Sequence, residues 1–154
     1  MNSTTSPTDE LTGKFIGAAM KVHSTLGFGF VESMYENSLA HELRKAGFKA
    51  EQQVPIKVYY DGIVVGDFKA DLVVDDTVIL ELKAVEKSST IHEVQLVNYL
   101  NGIGKEVGLL LNFGACSLEF KRKYRRPKED SKSVSFSGLI GLLAVITGKL
   151  LGQF

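Results

Sequence analysis

Asp67-Phe68-Lys69-Ala70-Asp71-Leu72-Val73-Val74-Asp75-Asp76-Thr77-Val78-Ile79-Leu80-Glu81-Leu82-Lys83 is the stretch whose reading decides the fold. Two runs rich in strand-forming apolar residues flank the turn-forming Asp75 to Thr77, and each run carries charge inside it. A charge within an apolar strand is costly unless it is paired or metal-bound. Asp71, Glu81 and Lys83 are therefore the first candidates for a functional site. Glu81 and Lys83 stand two residues apart and share a strand face. Whether Asp71 joins them depends on register. A two-residue loop at Asp75-Asp76 sets Asp71 opposite Leu80, whereas a three-residue loop, Asp75 to Thr77, sets it opposite Glu81. One residue of slip makes or abolishes the cluster. The longer loop is preferred, because it groups the charges and turns Leu72 and Leu82 the other way, into the core.

Working outward, Ile63–Val74 is the return strand of a hairpin whose first strand is Gln53–Tyr60. Asp61-Gly62 is the turn, and a bulge is expected near Gly66. The third strand is Val78–Ala84. Ser88-Ser89-Thr90 can cap a helix from about Ile91 to Asn101. Val107–Asn112 is almost wholly apolar, as suits a central strand covered on both faces. Leu118, Phe120 and Arg122 alternate with charged neighbours and suggest an edge strand. Upstream, Thr8 or Asp9 can cap a helix running to about Thr25, with Leu11, Phe15, Ala18, Ala19 and Val22 on a 3.6-residue period. Leu26-Gly27-Phe28-Gly29-Phe30 breaks it. A second helix follows from about Val31 to Ala46 and stops at Gly47. The order predicts an α/β fold with a mixed central sheet flanked by helices. Its parallel crossover joins Val78–Ala84 to Val107–Asn112.

The 154 residues are 44% hydrophobic and 23% charged, which fits a globular domain and excludes a disordered chain. Formal net charge is zero, yet residues 1–120 hold 10 Lys/Arg against 16 Asp/Glu while residues 121–154 hold 8 against 2, so a basic end follows an acidic body. Cys116 is the only cysteine, which rules out a disulfide within the chain and an all-cysteine metal site. It reads as a small buried hydrophobe. Met1–Glu10 lacks the apolar core of a signal peptide, and a reducing, cytoplasmic setting is the default. The expected organisation is a lead-in over residues 1–9, a domain over 10–126, a polar linker over 127–137 and an apolar tail over 138–154. The apolar run from Gly138 to Gly148 is short for a membrane span. Leu139, Leu142, Leu143, Ile146, Leu150 and Phe154 suit an amphipathic helix that packs on the body or joins a second copy as a homodimer. Contact with a membrane surface ranks behind packing.

Two carboxylates such as Asp71 and Glu81 can hold a hard divalent cation, Mg²⁺ or Mn²⁺, and the backbone carbonyl of Leu82 can add a ligand. Lys83 could orient water or steady charge on a phosphate, so the parts suit phosphodiester hydrolysis. The alternative is a structural ion network or a solvated sheet face. The run Lys121, Arg122, Lys123, Tyr124, Arg125 and Arg126 could contact a nucleic-acid backbone, with the tyrosine stacking on a base. It could equally be a charged edge that blocks aggregation. Glu36 reads as a solvated helix charge and His23 as a structural hydrogen-bonding group. Tyr35 either packs in the core or sends its hydroxyl towards the site.

Asp71 followed by Glu81-Leu82-Lys83 resembles the signature of the PD-(D/E)XK nuclease superfamily, with Ala70 where the superfamily's name has proline. Gly29-Phe30-Val31-Glu32-Ser33-Met34-Tyr35 matches the namesake motif of the GxxExxY protein family. Val22-His23-Ser24-Thr25-Leu26-Gly27 and Leu109-Leu110-Leu111-Asn112-Phe113-Gly114 agree with it. The resemblance covers roughly residues 10 to 125 and implies a nuclease-like core using Mg²⁺ or Mn²⁺. It makes Asp71 and Glu81 the main metal ligands and Lys83 the catalytic lysine. Glu32 becomes an acidic residue that binds the metal directly or through water, and Gln95 the glutamine of the helix after the core strands. His92 and Tyr99 lie near Gln95 on that helix and could line the cleft. The implied function is metal-dependent phosphodiester hydrolysis of DNA or RNA. The alternative is a non-catalytic nucleic-acid-binding or protein-assembly module on the same fold.

Overall fold

The Asp75–Thr77 turn organises a five-stranded sheet in a computed structural model that describes residues 5–127. Most of the expected linker and all of the apolar tail lie outside the described residues. Helix α1 spans Pro7–Leu26 and α2 spans Glu32–Lys45. Strands β1 (Ala50–Tyr60), β2 (Ile63–Val74) and β3 (Val78–Lys83) follow, then α3 (Thr90–Ile103), β4 (Val107–Asn112) and β5 (Glu119–Tyr124). The sheet order is β1-β2-β3-β4-β5. All neighbours are antiparallel except β3 and β4, which run parallel on either side of the α3 crossover. The fold is the mixed α/β arrangement that the element order predicts.

Two boundaries move from their sequence expectation. Helix α1 is capped by Ser6 and not by Thr8 or Asp9: the Ser6 hydroxyl accepts the Asp9 N–H at 3.1 Å. Pro7 explains the shift, since its fixed φ and missing N–H suit the first helical position and place the cap one residue earlier. Strand β1 begins at Ala50, not Gln53, because Ala50, Glu51 and Gln52 pair with Val74, Val73 and Leu72.

The helices cover opposite faces of the sheet. Phe15 of α1 and Leu39 of α2 pack with Leu72, Leu80, Leu82 and Leu109. On the other face Leu96 and Leu100 of α3 pack with Ile56, Ala70, Ile79 and Leu110. Strands β1 and β2 contribute to both cores, and the way they do so positions the site. Ala70 faces α3 while Leu72 faces α1 and α2. Positions two apart share a face in an unbroken strand, so β2 changes face at Asp71. Strand β1 does the same at the same level, with Ala50 on one side and Val54 and Ile56 on the other. Regular pairing skips Gln53 there, and Gln53 has φ 54°. The two strands thus share a crease at Gln53 and Asp71. Beyond it the hairpin leans over α3. A second irregularity lies near Gly66: Val58 pairs with Gly66 but Tyr59 with Val64, leaving Val65 as the extra residue of the expected bulge.

The turn between α1 and α2 explains much of the Gly-x-x-Glu-x-x-Tyr spacing. Gly29 has φ 109°, where a side chain would be strained. The buried Tyr35 closes the turn, its hydroxyl donating to the Gly27 carbonyl at 2.7 Å and accepting the Phe30 N–H at 3.2 Å. Its ring stacks on Phe113 at 4.7 Å between centroids. Tyr35 therefore packs in the core and fixes where α2 begins. Among the described residues, no helix is long and apolar enough to cross a membrane.

Candidate active site

The β2–β3 ladder runs Val74 to Val78, Val73 to Ile79 and Leu72 to Leu80. This is the register of the three-residue turn, and one step further it sets Asp71 opposite Glu81. Side chains take over from the backbone ladder at that step. The Leu82 N–H donates to Asp71 Oδ2 at 2.8 Å, and the Asp71 N–H donates to Glu81 Oε1 at 3.3 Å. The two carboxyl groups are close enough to shift one another's proton affinity. Leu82 sends its side chain into the α1–α2 core, as that register requires.

Glu81 is only 5% exposed. Burial, followed by the negative charge of Asp71, pushes its carboxyl up to about 8. Burial raises Asp71 as well, against the Leu82 N–H and the Lys83 ammonium, which favour the charged form. Glu32 stands at the first position of α2 and is raised, chiefly by burial, despite the attraction of Lys83. The Ala84 N–H at the end of β3 is near enough to favour its charged form slightly. Lys83 thus acts electrostatically on Glu32, Asp71 and Glu81 together.

Helix α3 brings up the other side. The Tyr99 hydroxyl has its pKa raised by burial and then by the charges of Glu81 and Asp71, with Gln95 one turn away acting in the opposite direction. His92 is lowered by burial and then by Lys83, which puts it near the lysine. Its Nδ1 is occupied, accepting the Ser89 N–H at 3.4 Å in the α3 capping box. Asp71, Glu81, Lys83, Glu32, Gln95 and Tyr99 therefore converge at one end of β3.

Residues 9–126 match the PD-(D/E)XK nuclease superfamily. The chain belongs to this superfamily. No curated protein matches it. Among solved structures it is similar to the crystal structure of SSO0001, at 18% identity and a TM-score of 0.48, over 79% of this chain and 59% of that one. It is also similar to an alkaline exonuclease from Laribacter hongkongensis, at 13% identity and a TM-score of 0.47, over 99% of this chain and 81% of that one. The chain thus spans less than two thirds of SSO0001.

Superfamily nucleases use divalent cations, and the residues present fit one in part. Asp71, Glu81 and the Leu82 carbonyl are hard oxygen donors. Both carboxyls are raised, Glu81 in part by the charge of Asp71, which is the repulsion a bound cation would relieve. Among the described residues, however, no three His, Cys, Asp or Glu side chains form a cluster that could hold a metal ion. Glu32 does not complete such a set with them.

Three further residues support the site. Glu36, expected to be solvated, is buried at 7% exposure. Its oxygens accept from Gln52 Nε2 at 3.1 Å and Gln53 Nε2 at 2.8 Å. Gln53 also favours the charged form of Asp71, so it lies between Glu36 and the site at the crease. The one-turn spacing of Glu32 and Glu36 on α2 was the available signal. Asn112, beside Lys83 in the parallel ladder, clamps the loop leaving β3. Its amide donates to the Val85 carbonyl at 2.9 Å and to Glu119 at 2.8 Å, and its oxygen accepts the Val85 and Gly114 N–H groups at 3.1 Å. Only glycine fits at 114, since a Cβ would lie 2.3 Å from the Val85 oxygen. His23 makes the structural contact expected of it, to the Ala115 carbonyl at 2.9 Å. Cys116 is exposed and not buried: it lies in the loop before β5, which the β4 core does not cover.

The basic residues extend away from this end along β5. Lys121 and Lys123 both pair with Glu93 of α3, the latter at 2.7 Å. Arg122 pairs with Asp9 at 2.9 Å and Arg125 with Glu106. Tyr124 and Arg126 line a shallow groove with Thr90 and Val97.

Proposed function

We propose that the chain is a divalent-cation-dependent nuclease of the GxxExxY type, hydrolysing phosphodiesters in DNA or RNA. The observation that carries this reading is the pairing of half-buried Asp71 with buried Glu81 at the point where β2 leaves β3, with Lys83 two residues on. Two adjacent carboxyls, one of them buried, are unfavourable in a merely structural role. Asp71, Glu81 and the Leu82 carbonyl would hold Mg²⁺ or Mn²⁺, with Glu32 acting from further out through water. The cation would supply Lewis acidity towards a phosphate oxygen and a lowered pKa for attacking water.

The chain's own groups do the rest. The Leu82 N–H and Gln53 hold the Asp71 carboxylate in one orientation. The Lys83 ammonium opposes negative charge developing on the phosphate. Gln95 and Tyr99 form a polar wall from which the substrate backbone can be held. The β5 residues Lys121 to Arg126 are a secondary contact for phosphates, weakened by their acidic partners. A non-catalytic nucleic-acid-binding or assembly module is the second reading, favoured by the missing third acidic ligand among the described residues.

The test is incubation with single- and double-stranded DNA and RNA under Mg²⁺ or Mn²⁺. Cleavage that disappears in Glu81→Ala and Lys83→Ala supports the nuclease. Folded protein that binds Mn²⁺ yet cleaves none of these substrates overturns it and leaves the second reading.

A further inference from the structure

Beyond the crease, the β1–β2 hairpin and α3 enclose a groove of about 670 Å³. Lys57, Tyr59 and Phe68 line it from the hairpin, and Gln95, Asn98 and Tyr99 from the helix. We propose that this groove is a subsite for unpaired nucleobases, which makes the substrate single-stranded nucleic acid or a frayed end. The proposal rests on the nuclease reading and names the substrate of that same site.

Four observations carry it. The first is continuity: Gln95 and Tyr99 line the groove, and Tyr99 packs in the same core cluster as Ala70, the neighbour of Asp71 in β2. A strand lying in the groove therefore leads to the carboxylates. The second is aromatic surface. Phe68 is 41% and Tyr59 63% exposed, and Phe68 rests against Tyr99 with ring centroids 5.4 Å apart. Such π-faces accept any base, and stacking of this kind is how proteins hold single strands without reading sequence.

The third is polarity and charge. Asn98 and Gln95 present amides that can meet the donors and acceptors of base edges. Lys57 is the one charged side chain among the described lining residues, and it is a cation. The fourth is size. The volume falls within the ~300–1,000 Å³ of pockets that enclose small molecules, which suits a nucleotide or two and not the side of a duplex. A duplex also hides its π-faces in its own stack.

A peptide strand is the less suitable occupant. Pro55 stands in the edge strand β1 and removes a backbone donor that strand addition would use. Stacking also answers an electrostatic difficulty. With the body acidic and β5 largely paired, phosphate attraction alone gives a weak grip.

The experiment is fluorescence anisotropy with a labelled twelve-nucleotide single strand, its RNA counterpart and a blunt duplex of the same sequence. EDTA keeps the substrates intact. The full chain is compared with Tyr59→Ala, Phe68→Ala and Phe68→Leu. Single strands should bind at least ~10-fold more tightly than duplex, and each lost ring should weaken them by about 5- to 100-fold, Phe68→Leu included. Mn²⁺ affinity by calorimetry should be unchanged in all three variants. Tyr59 is the more exposed of the two rings, so its variant keeps the test sound should Phe68→Ala fail to fold.

Equal binding of duplex and single strand, or single-strand affinity indifferent to Tyr59→Ala, overturns the proposal. So does a dimer in sedimentation that Tyr59→Ala dissociates, because the groove would then be an interface between copies. The two readings fail separately. Cleavage lost in Glu81→Ala with ring-independent binding leaves the nuclease and removes the subsite. Ring-dependent single-strand binding without cleavage leaves the subsite and removes the nuclease.

Discussion

Strands β3 and β5 belong to one sheet and carry charge in opposite ways. On β5, Lys121, Arg122 and Lys123 each meet a carboxylate from α1 or α3, and Arg125 just beyond meets Glu106. On β3, Glu81 meets Asp71, a charge of its own sign, away from water. Balanced ion pairs at a solvent-exposed edge contribute roughly 0–1 kcal/mol each. They are easily acquired and say little about function. An unbalanced pair of carboxyls, one buried and one half-buried, has a standing cost, which a bound cation would offset. The number of charges on a strand is thus a poor guide to chemistry, and the sign of the neighbour is a better one.

Activity should separate the two strands most widely. Glu81→Ala and Lys83→Ala are expected to lower the cleavage rate by about 10²-fold or more, the scale of losing a group that meets transition-state charge. Lys121→Ala combined with Lys123→Ala should change it by less than ~10-fold. Comparable losses from both sets, measured in single-turnover assays, would erase the distinction.

Stability against pH is the next largest effect. Glu81 titrates at about 8 in the folded protein against an ordinary 4.5, so the folded state holds its proton through that interval. Metal-free protein should be fully stabilised by this group below about 4.5 and should lose that contribution as pH rises through 8. The loss is on the order of a few kcal/mol. Thermal melts of the metal-free protein should therefore fall with rising pH, and Glu81→Gln should flatten the curve. Excess Mn²⁺ should restore stability at high pH, by ~3 kcal/mol at a hundred times its dissociation constant. A pH slope unchanged in Glu81→Gln would show that the carboxyl is not held as described.

The crease predicts a smaller effect with two opposed parts. Gln53→Gly relieves the left-handed backbone but removes the bond to Glu36 and the amide that favours the Asp71 carboxylate. Stability should change by no more than ~1 kcal/mol while Mn²⁺ binding weakens. If calorimetry finds affinity intact, Gln53 does not hold Asp71 for a cation. Smallest of all, Lys123→Ala should cost under ~1 kcal/mol, and the difference should vanish in 1 M salt.

Much of this comparison could be read from the chain. Loop length decided whether Asp71 could reach Glu81, and Asp75 to Thr77 supplied it by local turn chemistry. The alternation of β5 was equally local. Its partners were not: Asp9, Glu93 and Glu106 come from three separate segments, and nothing in Lys121 to Arg126 names them. Glu36 departs from its expected solvated place for the same reason. A glutamate on a helix is solvated by default, and only the packing of α2 over Gln52 and Gln53 buries it. The crease escaped because two strands change face together, so neither shows a break in its own run of residues. Glu32 and Gln95 were reached through family resemblance, since their spacing carries no chemistry of its own.

The face change at Gln53 and Asp71 also divides the hairpin by what alteration it tolerates. Residues 54–70 form an arm whose root packs on α3 through Ile56 and Ala70, with its tip at Asp61-Gly62 far from the carboxylates. Adding residue pairs at that tip would lengthen the arm without moving Asp71, and the extra residue at Val65 indicates that its pairing already absorbs an uneven count. Diversity in which strand is grasped can therefore accumulate in the arm while the chemistry at its root stays still.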